Sequence, residues 1–216
     1  MSIEVEYVDH MGSDLNVVNA ARVSFGKQKA VLDESDKRLI RYLAKHNHWT
    51  PFGQVSLSVR AKVPIFVERQ IFKHNVGFVY NSISGRYVEL ENGAWYPEFF
   101  REGHPSIKQG SLDKAAAFND TALLMYRNAI EKAQQAYEAM LGLGICKEQA
   151  RAVLPLSTYT EFVATGSLAA WARLYNLRSK PDAQRETQEY ARQVKNILLE
   201  YFPVSFEALT NTPDGR

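Results

Sequence analysis

The sequence predicts an α+β single domain in which several helices, one of them long, flank a small mixed or antiparallel sheet. Three observations predict it. Residues 54–62 alternate between apolar Val55, Leu57, Val59 and Ala61 and polar Ser56, Ser58, Arg60 and Lys62, the period of a strand with one buried face. Tyr190, Val194, Ile197 and Leu198 recur at helical spacing, and stretches of that kind outnumber the strands. No repeat, low-complexity tract or linker breaks the 216 residues, so one domain spanning 1–216 is expected.

Taken in order, residues 3–7 alternate apolar and charged, as in a half-buried strand. Gly12-Ser13-Asp14 then offers a turn and a cap for a helix through Leu15, Val18 and Ala21 that ends near Gly26. After a loop over 27–32, Asp33, Ser35 or Asp36 can cap a helix whose apolar face is Leu39, Ile40, Tyr42 and Leu43. Beyond the strand at 54–62, Pro64 suits the first turn of a helix that buries Ile65, Phe66, Ile71 and Phe72. That helix delivers the chain to a polar stretch through Tyr87, read as loop. Residues 89–110 also read as loop, and 111–141 as the longest helix, capped by Ser111 and stopped by Gly142 and Gly144, with its Ala, Leu, Met and Tyr positions in the core. A short helix over 147–153 stopped by Pro155, a strand over 159–164, a helix from the Ser167 cap through Leu177, and a helix from Pro181 to about Tyr201 complete the chain.

Composition removes several function classes. With 45% hydrophobic and 23% charged residues the chain is ordinary globular material. A formal charge of +2 gives no basis for non-specific nucleic-acid binding, so no nucleic acid is required. No window reaches the length of a membrane span, and the acidic amino terminus lacks a signal-peptide core. The single Cys146 excludes an intrachain disulfide framework, and together these features predict a cytoplasmic protein. Cys146 itself reads as a small buried residue rather than an activated thiol. The five histidines show no metal-site spacing, and no metal is expected.

The chemistry concentrates between Arg69 and Tyr87. Arg69, Gln70, Lys73, His74, Asn75, Asn81, Ser82, Ser84 and Arg86 crowd donors and acceptors together, and Gly77 and Gly85 would let backbone amides approach an anion. That is the make-up of a nucleotide-phosphate site, although no dinucleotide fingerprint or phosphate loop of the usual kinds is present. Arg151 and Arg178 add two more forked cations in apolar surroundings, suited to an anionic nucleotide or to negative charge on a ring.

Together these pieces resemble the flavin-dependent thymidylate synthases. The resemblance rests on Met11-Gly12-Ser13-Asp14, Ala21-Arg22-Val23-Ser24-Phe25, His48-Trp49-Thr50-Pro51-Phe52, Pro64-Ile65-Phe66-Val67, Arg69-Gln70, Ser84-Gly85-Arg86-Tyr87, Ala150-Arg151, Leu154-Pro155-Leu156, Asn176-Leu177-Arg178, Ala183-Gln184 and Glu186. It implies an enzyme that passes a one-carbon unit from methylenetetrahydrofolate to C5 of dUMP, with FAD reduced by NADPH, in a homotetramer whose sites are shared between subunits. It further implies that Arg69, Gln70, Lys73, Ser82, Ser84, Gly85, Arg86, Arg151 and Arg178 hold dUMP, with Arg178 the catalytic cation. By the same resemblance His48, Thr50, Lys73, His74, Asn75, Ser82, Ser167, Arg173 and Asp182 line the FAD and folate region.

The chain departs from the family pattern at named places. Where the family has Arg-His-Arg it has Lys73-His74-Asn75, and the stretch from there to Ser84 is one residue longer. Ser82 stands where a glutamate is usual, Ser167 and Ala169 where an asparagine and an arginine often stand, and Asp182 in place of a common histidine. Two other readings share the scaffold: a paralogue that hydroxymethylates dUMP or dCMP, and a non-catalytic nucleotide- or RNA-binding protein.

Overall fold

The strand with the clearest alternation lies inside the sheet, where both of its edges are paired. In the computed structural model, which describes residues 3–89, 93–108 and 110–211, β1 (Glu4–Met11), β2 (Ser56–Pro64), β6 (Tyr159–Ser167) and β3 (Phe78–Ser82) form a four-stranded sheet in the order β1-β2-β6-β3. Every neighbouring pair is antiparallel. One face of β2 carries Leu57, Val59, Ala61 and Val63, all fully buried, and β6 sets Gly166, Ala164 and Phe162 beside the first three. The opposite face is polar, with Ser58 Oγ and Thr165 Oγ1 at 2.7 Å and an Arg60–Glu161 ion pair at 2.6 Å.

Helices cover the apolar face: α1 (Asp14–Arg22), α2 (Glu34–Lys45), α3 (Ile65–Ile71), α6 (Leu168–Arg178), α7 (Arg185–Tyr201) and α8 (Pro203–Thr210). Trp171 of α6 is fully buried, and its Nε1–H donates to the Leu57 carbonyl at 3.0 Å, which satisfies a donor the apolar core could not otherwise hold. Of the three candidate caps for α2, Asp33 is the one used. Its carboxylate accepts from the Asp36 N–H, and the Asp36 carboxylate accepts from the Asp33 N–H, each at 3.0 Å.

The two ends of the described chain are tied together. The Val5 N–H donates to Gln193 Oε1 at 3.0 Å, Gln193 Nε2 donates to the Ile3 carbonyl at 2.8 Å, and Tyr7 stacks on Tyr201 at 4.6 Å. Asp14 is buried, and its carboxylate accepts from the Val204 and Ser205 N–H groups at the start of α8, at 3.0 and 2.9 Å.

Several expectations need correction. Residues 111–115 are not helix: β5 (Ser111–Ala115) pairs with β4 (Arg101–Gly103), and α4 (Asn119–Gly142) begins beyond them. The helix-forming composition of 111–115 yields to a cross-strand ladder, strengthened by a Lys114–Glu102 ion pair at 2.6 Å. β4 also interrupts the loop expected over 89–110, of which residues 90–92 and 109 lie outside those described. Nor is α4 a core helix. Among its described residues only Ile130 and Tyr137 are buried, whereas Leu124 and Met125 are 60% and 67% exposed. The helix packs on α5 (Lys147–Ala150) and the turn after it rather than on the sheet.

β3 lies inside the stretch read as polar loop, and α8 had no expected counterpart. α1 ends at Arg22, with a single 3₁₀ turn carrying the chain to Gly26. Cys146 is exposed rather than buried, with Gln149 Oε1 at 3.8 Å from its sulfur. Among the described residues no helix is long and apolar enough to cross a membrane.

Candidate active site

The last turn of α3 and the last turn of α6 bring Gln70, His74 and Arg178 together across a hundred residues of chain. Arg178 Nε–H donates to His74 Nε2 at 2.9 Å, and Nη2 donates to the Gln70 carbonyl at 3.1 Å. Two acceptors thereby fix both the position and the plane of the guanidinium. Accepting at Nε2 requires a neutral imidazole with its proton on Nδ1. The surroundings enforce that state: burial, then the charges of Arg178 and Arg173, push the His74 pKa down to about 4.

Gln70 is held from the other side. Its Oε1 accepts from Thr187 Oγ1 at 3.1 Å, and its Nε2 donates to Gln184 Oε1. Gln184 donates in turn to Glu186 Oε2 at 2.9 Å, and Glu186 takes a two-pronged bond from Arg101 at 2.8 and 3.2 Å. Burial pushes the Glu186 carboxyl up, but the bonds from Arg101, its own backbone N–H and Gln184 outweigh it and keep the group ionised. Gln70, Arg178, Asp182, Gln184, Arg185 and Arg192 line a cavity of about 890 Å³, and the β4–β5 hairpin supplies its other wall through Arg101, Ser111 and Asp113.

A second group lies along β3 and the turn that follows. Ser82 Oγ donates to Glu68 Oε1 at 2.6 Å. In the turn, Gly85 is buried, the Arg86 N–H approaches Ser84 Oγ at 3.4 Å, and Arg86 Nε pairs with Glu148 Oε2 of α5 at 2.7 Å. Arg151 stands directly after α5, so the same pair ties the Ser84 turn to the element that carries Arg151. Arg69, Lys73 and Asn75 are exposed.

Two of the expected ligands have local structural roles. Ser167 Oγ accepts from the Ala170 N–H and caps α6 at 3.3 Å, and Arg173 donates to the Val76 carbonyl. Gly77 also has a steric role. It turns the chain at φ +81° against α6, where a Cβ would lie 2.9 Å from Ala170 Cβ. His48 and Thr50 belong to a third group, exposed at a hollow of about 370 Å³ beside Ala20, Ser24 and Trp49, and neither lines the Arg178 cavity.

Thus the fold joins Gln70, His74, Arg178 and Asp182 at one place, sets Ser82 through Arg86 against α5, the helix that Arg151 follows, at another, and places His48 with Thr50 at a third. Sequence reasoning gave no role to Arg101 or Thr187. The partner of Arg101 lies 85 residues away, and no local pattern signals the pairing. Among the described residues no group of His, Cys, Asp and Glu could hold a metal ion.

The family described as "Thymidylate synthase complementing protein" matches residues 6–204, nearly the whole chain. The chain belongs to this family. Relatives named flavin-dependent thymidylate synthase include one from Thermus thermophilus, 41% identical over 94% of this chain and 74% of its own, and one from Thermosipho africanus, 39% identical over 93% and 88%. The crystal structure of a UMP/dUMP methylase, PolB from Streptomyces cacaoi, bound with 5-Br dUMP superposes with a TM-score of 0.87 at 32% identity, covering 97% of this chain and 95% of that one. The family's flavin dependence agrees with the donors around residues 73–77. Lys73 and Asn75 offer exposed cationic and amide donors beside Arg173, a set that suits the diphosphate of a flavin dinucleotide.

Proposed function

We propose that this chain, as one domain over residues 1–216, is a thymidylate synthase that methylates C5 of dUMP, with methylenetetrahydrofolate as carbon donor and NADPH as the source of electrons. The observation that carries the reading is Arg178, a cation fixed by His74 and Gln70 at the wall of a large cavity. When bound, FAD supplies the reducing chemistry. Lys73, His74, Asn75, Ser82, Ser167, Arg173 and Asp182 would hold it, with His48 and Thr50 toward the flavin and folate.

The chain's own residues have separable tasks. Ser84, the Gly85 backbone and Arg86 bind the 5′-phosphate, helped by Arg69 and Lys73, while Gln70 and Arg151 orient the pyrimidine. Arg178 stabilises the negative charge that develops on the uracil as C5 attacks, a task for a preorganised cation in a site closed to water. No protein nucleophile is assigned, in keeping with the exposed, weakly contacted Cys146. The separation of His48 and Thr50 from Arg178 within one chain supports a homotetramer with shared sites. The phosphorylated substrates favour a cytoplasmic setting.

The test is direct. Purified protein should be yellow, and with methylenetetrahydrofolate and NADPH it should release tritium from [5-³H]dUMP. A colourless preparation that takes up no FAD and releases no tritium overturns the proposal. The resemblance to a UMP/dUMP methylase favours one second reading, a ribonucleotide substrate. Mass spectrometry of the products from dUMP, UMP and dCMP separates methylation from hydroxymethylation and ranks the nucleotides.

A further inference from the structure

Glu68 has no part in the tasks above, yet its position is unusual for a carboxylate. It stands on α3, half-buried, with Ser82 Oγ at 2.6 Å on Oε1 and no ion-pair partner among the described residues. The contact is one of two rungs between α3 and β3. Four residues after Glu68, Phe72 stacks on Tyr80 at 4.3 Å, so positions i and i+4 of the helix meet positions two apart on one face of the strand. That face alternates cleanly: Phe78, Tyr80, Ser82 and Ser84 are buried or half-buried, while Val79, Asn81 and Ile83 are exposed. Pairing continues past Ser82, because the Ile83 N–H donates to the Glu161 carbonyl at 2.9 Å. Neighbours on one face of a strand are about 7 Å apart. Ser84 therefore lies about one such step along this face from Ser82, the residue that holds the Glu68 carboxylate.

A carboxylate is an acceptor with room for about four donors. Ser82 supplies one. Burial pushes the Glu68 carboxyl up, and donation from Ser82 with the charge of Arg69 opposes this only in part. An acceptor half removed from water with most of its lone pairs free is costly unless a donor arrives. Resting on the assignment of the 5′-phosphate to the Ser84 turn, the nearest parts of the same nucleotide are its sugar hydroxyls, which are the sugar's only donors. Where a glutamate is usual on the strand this chain has Ser82, and the carboxylate at that spot comes from the helix.

We propose that Glu68 is a substrate-binding residue that accepts a hydrogen bond from a sugar hydroxyl of the bound uridylate, while Ser82 holds the carboxylate in place. Calorimetric binding of dUMP, UMP and 2′,3′-dideoxyuridine 5′-monophosphate to the holoenzyme and to Glu68→Ala and Glu68→Gln variants tests it. Glu68→Ala should weaken dUMP and UMP about tenfold and the dideoxy nucleotide less than about twofold, with Glu68→Gln between wild type and Glu68→Ala for the two hydroxylated nucleotides. Equal weakening of all three, or of none, overturns the proposal, because a purely structural role does not distinguish a nucleotide with hydroxyls from one without. Wild-type protein that binds none of the three overturns the uridylate reading instead. Should Glu68→Ala fail to fold, the isosteric Glu68→Gln carries the same comparison.

Discussion

Arg178 is useful because it is held from two sides. Both of its acceptors belong to the end of α3 and the loop that follows, so the cation is held at one angle before any substrate arrives. Arg178→Ala should lower the tritium-release rate roughly 10²- to 10³-fold, and Arg178→Lys should recover little of it, because one ammonium cannot reach the His74 nitrogen and the Gln70 carbonyl in a single plane. Initial rates at saturating dUMP check both. His74 gives a second prediction with a defined sign. Its folded pKa, about 4, lies below the ordinary 6.5, so between those values the folded chain binds fewer protons than the unfolded one. Its contribution to stability is whole above about pH 6.5 and is lost as the pH falls toward 4. A histidine C2–H resonance that stays in its neutral position to pH 5 supports this, and a midpoint near 6.5 refutes it. At this scale the sequence marked candidate residues and told little of how they meet. Arg178 and Gln70 stood out as donors. That the backbone carbonyl of Gln70, rather than its amide, receives Arg178 depends on a fold that brings together positions 108 apart.

At the scale of elements, the loop between α3 and β3 depends on Gly77. Any side chain there must adopt φ +81° and also meet Ala170 and the Ser167 hydroxyl at 2.9 and 3.1 Å. Gly77→Ala should cost about 1–3 kcal/mol, read as a lower urea midpoint at unchanged slope, and should lower activity through His74, three residues away. The elements also show what a sequence can reveal. β2 was legible because it is apolar on one face and polar on the other, so its period is unmixed. β3 was not, because its five residues sit among the polar groups of the site. The β4–β5 hairpin was misread because its pairing, not its composition, decides its conformation, and α4 because helical spacing cannot say whether an apolar face meets the core or solvent.

For the whole molecule, the proposed shared sites rest on candidate residues that line different hollows, and the long helix exposes Leu124 and Met125. If sites are shared, mixing two inactive proteins, Arg178→Ala and a His48→Ala/Thr50→Ala double variant, should restore part of the activity after subunit exchange, since some sites then draw each residue from an intact chain. No recovery in exchanged oligomers argues for sites complete within one subunit. The tie between β1 and the α7–α8 region matters on another timescale. β1 depends on Gln193 and Tyr201, and Asp14 on the amides of residues 204 and 205, all made long after it. A nascent chain can pair β1 with β2 early, but it cannot seal this sheet edge until α7 has been made. Order of synthesis and order of contact therefore differ at this edge, where early-made residues are completed by late-made ones.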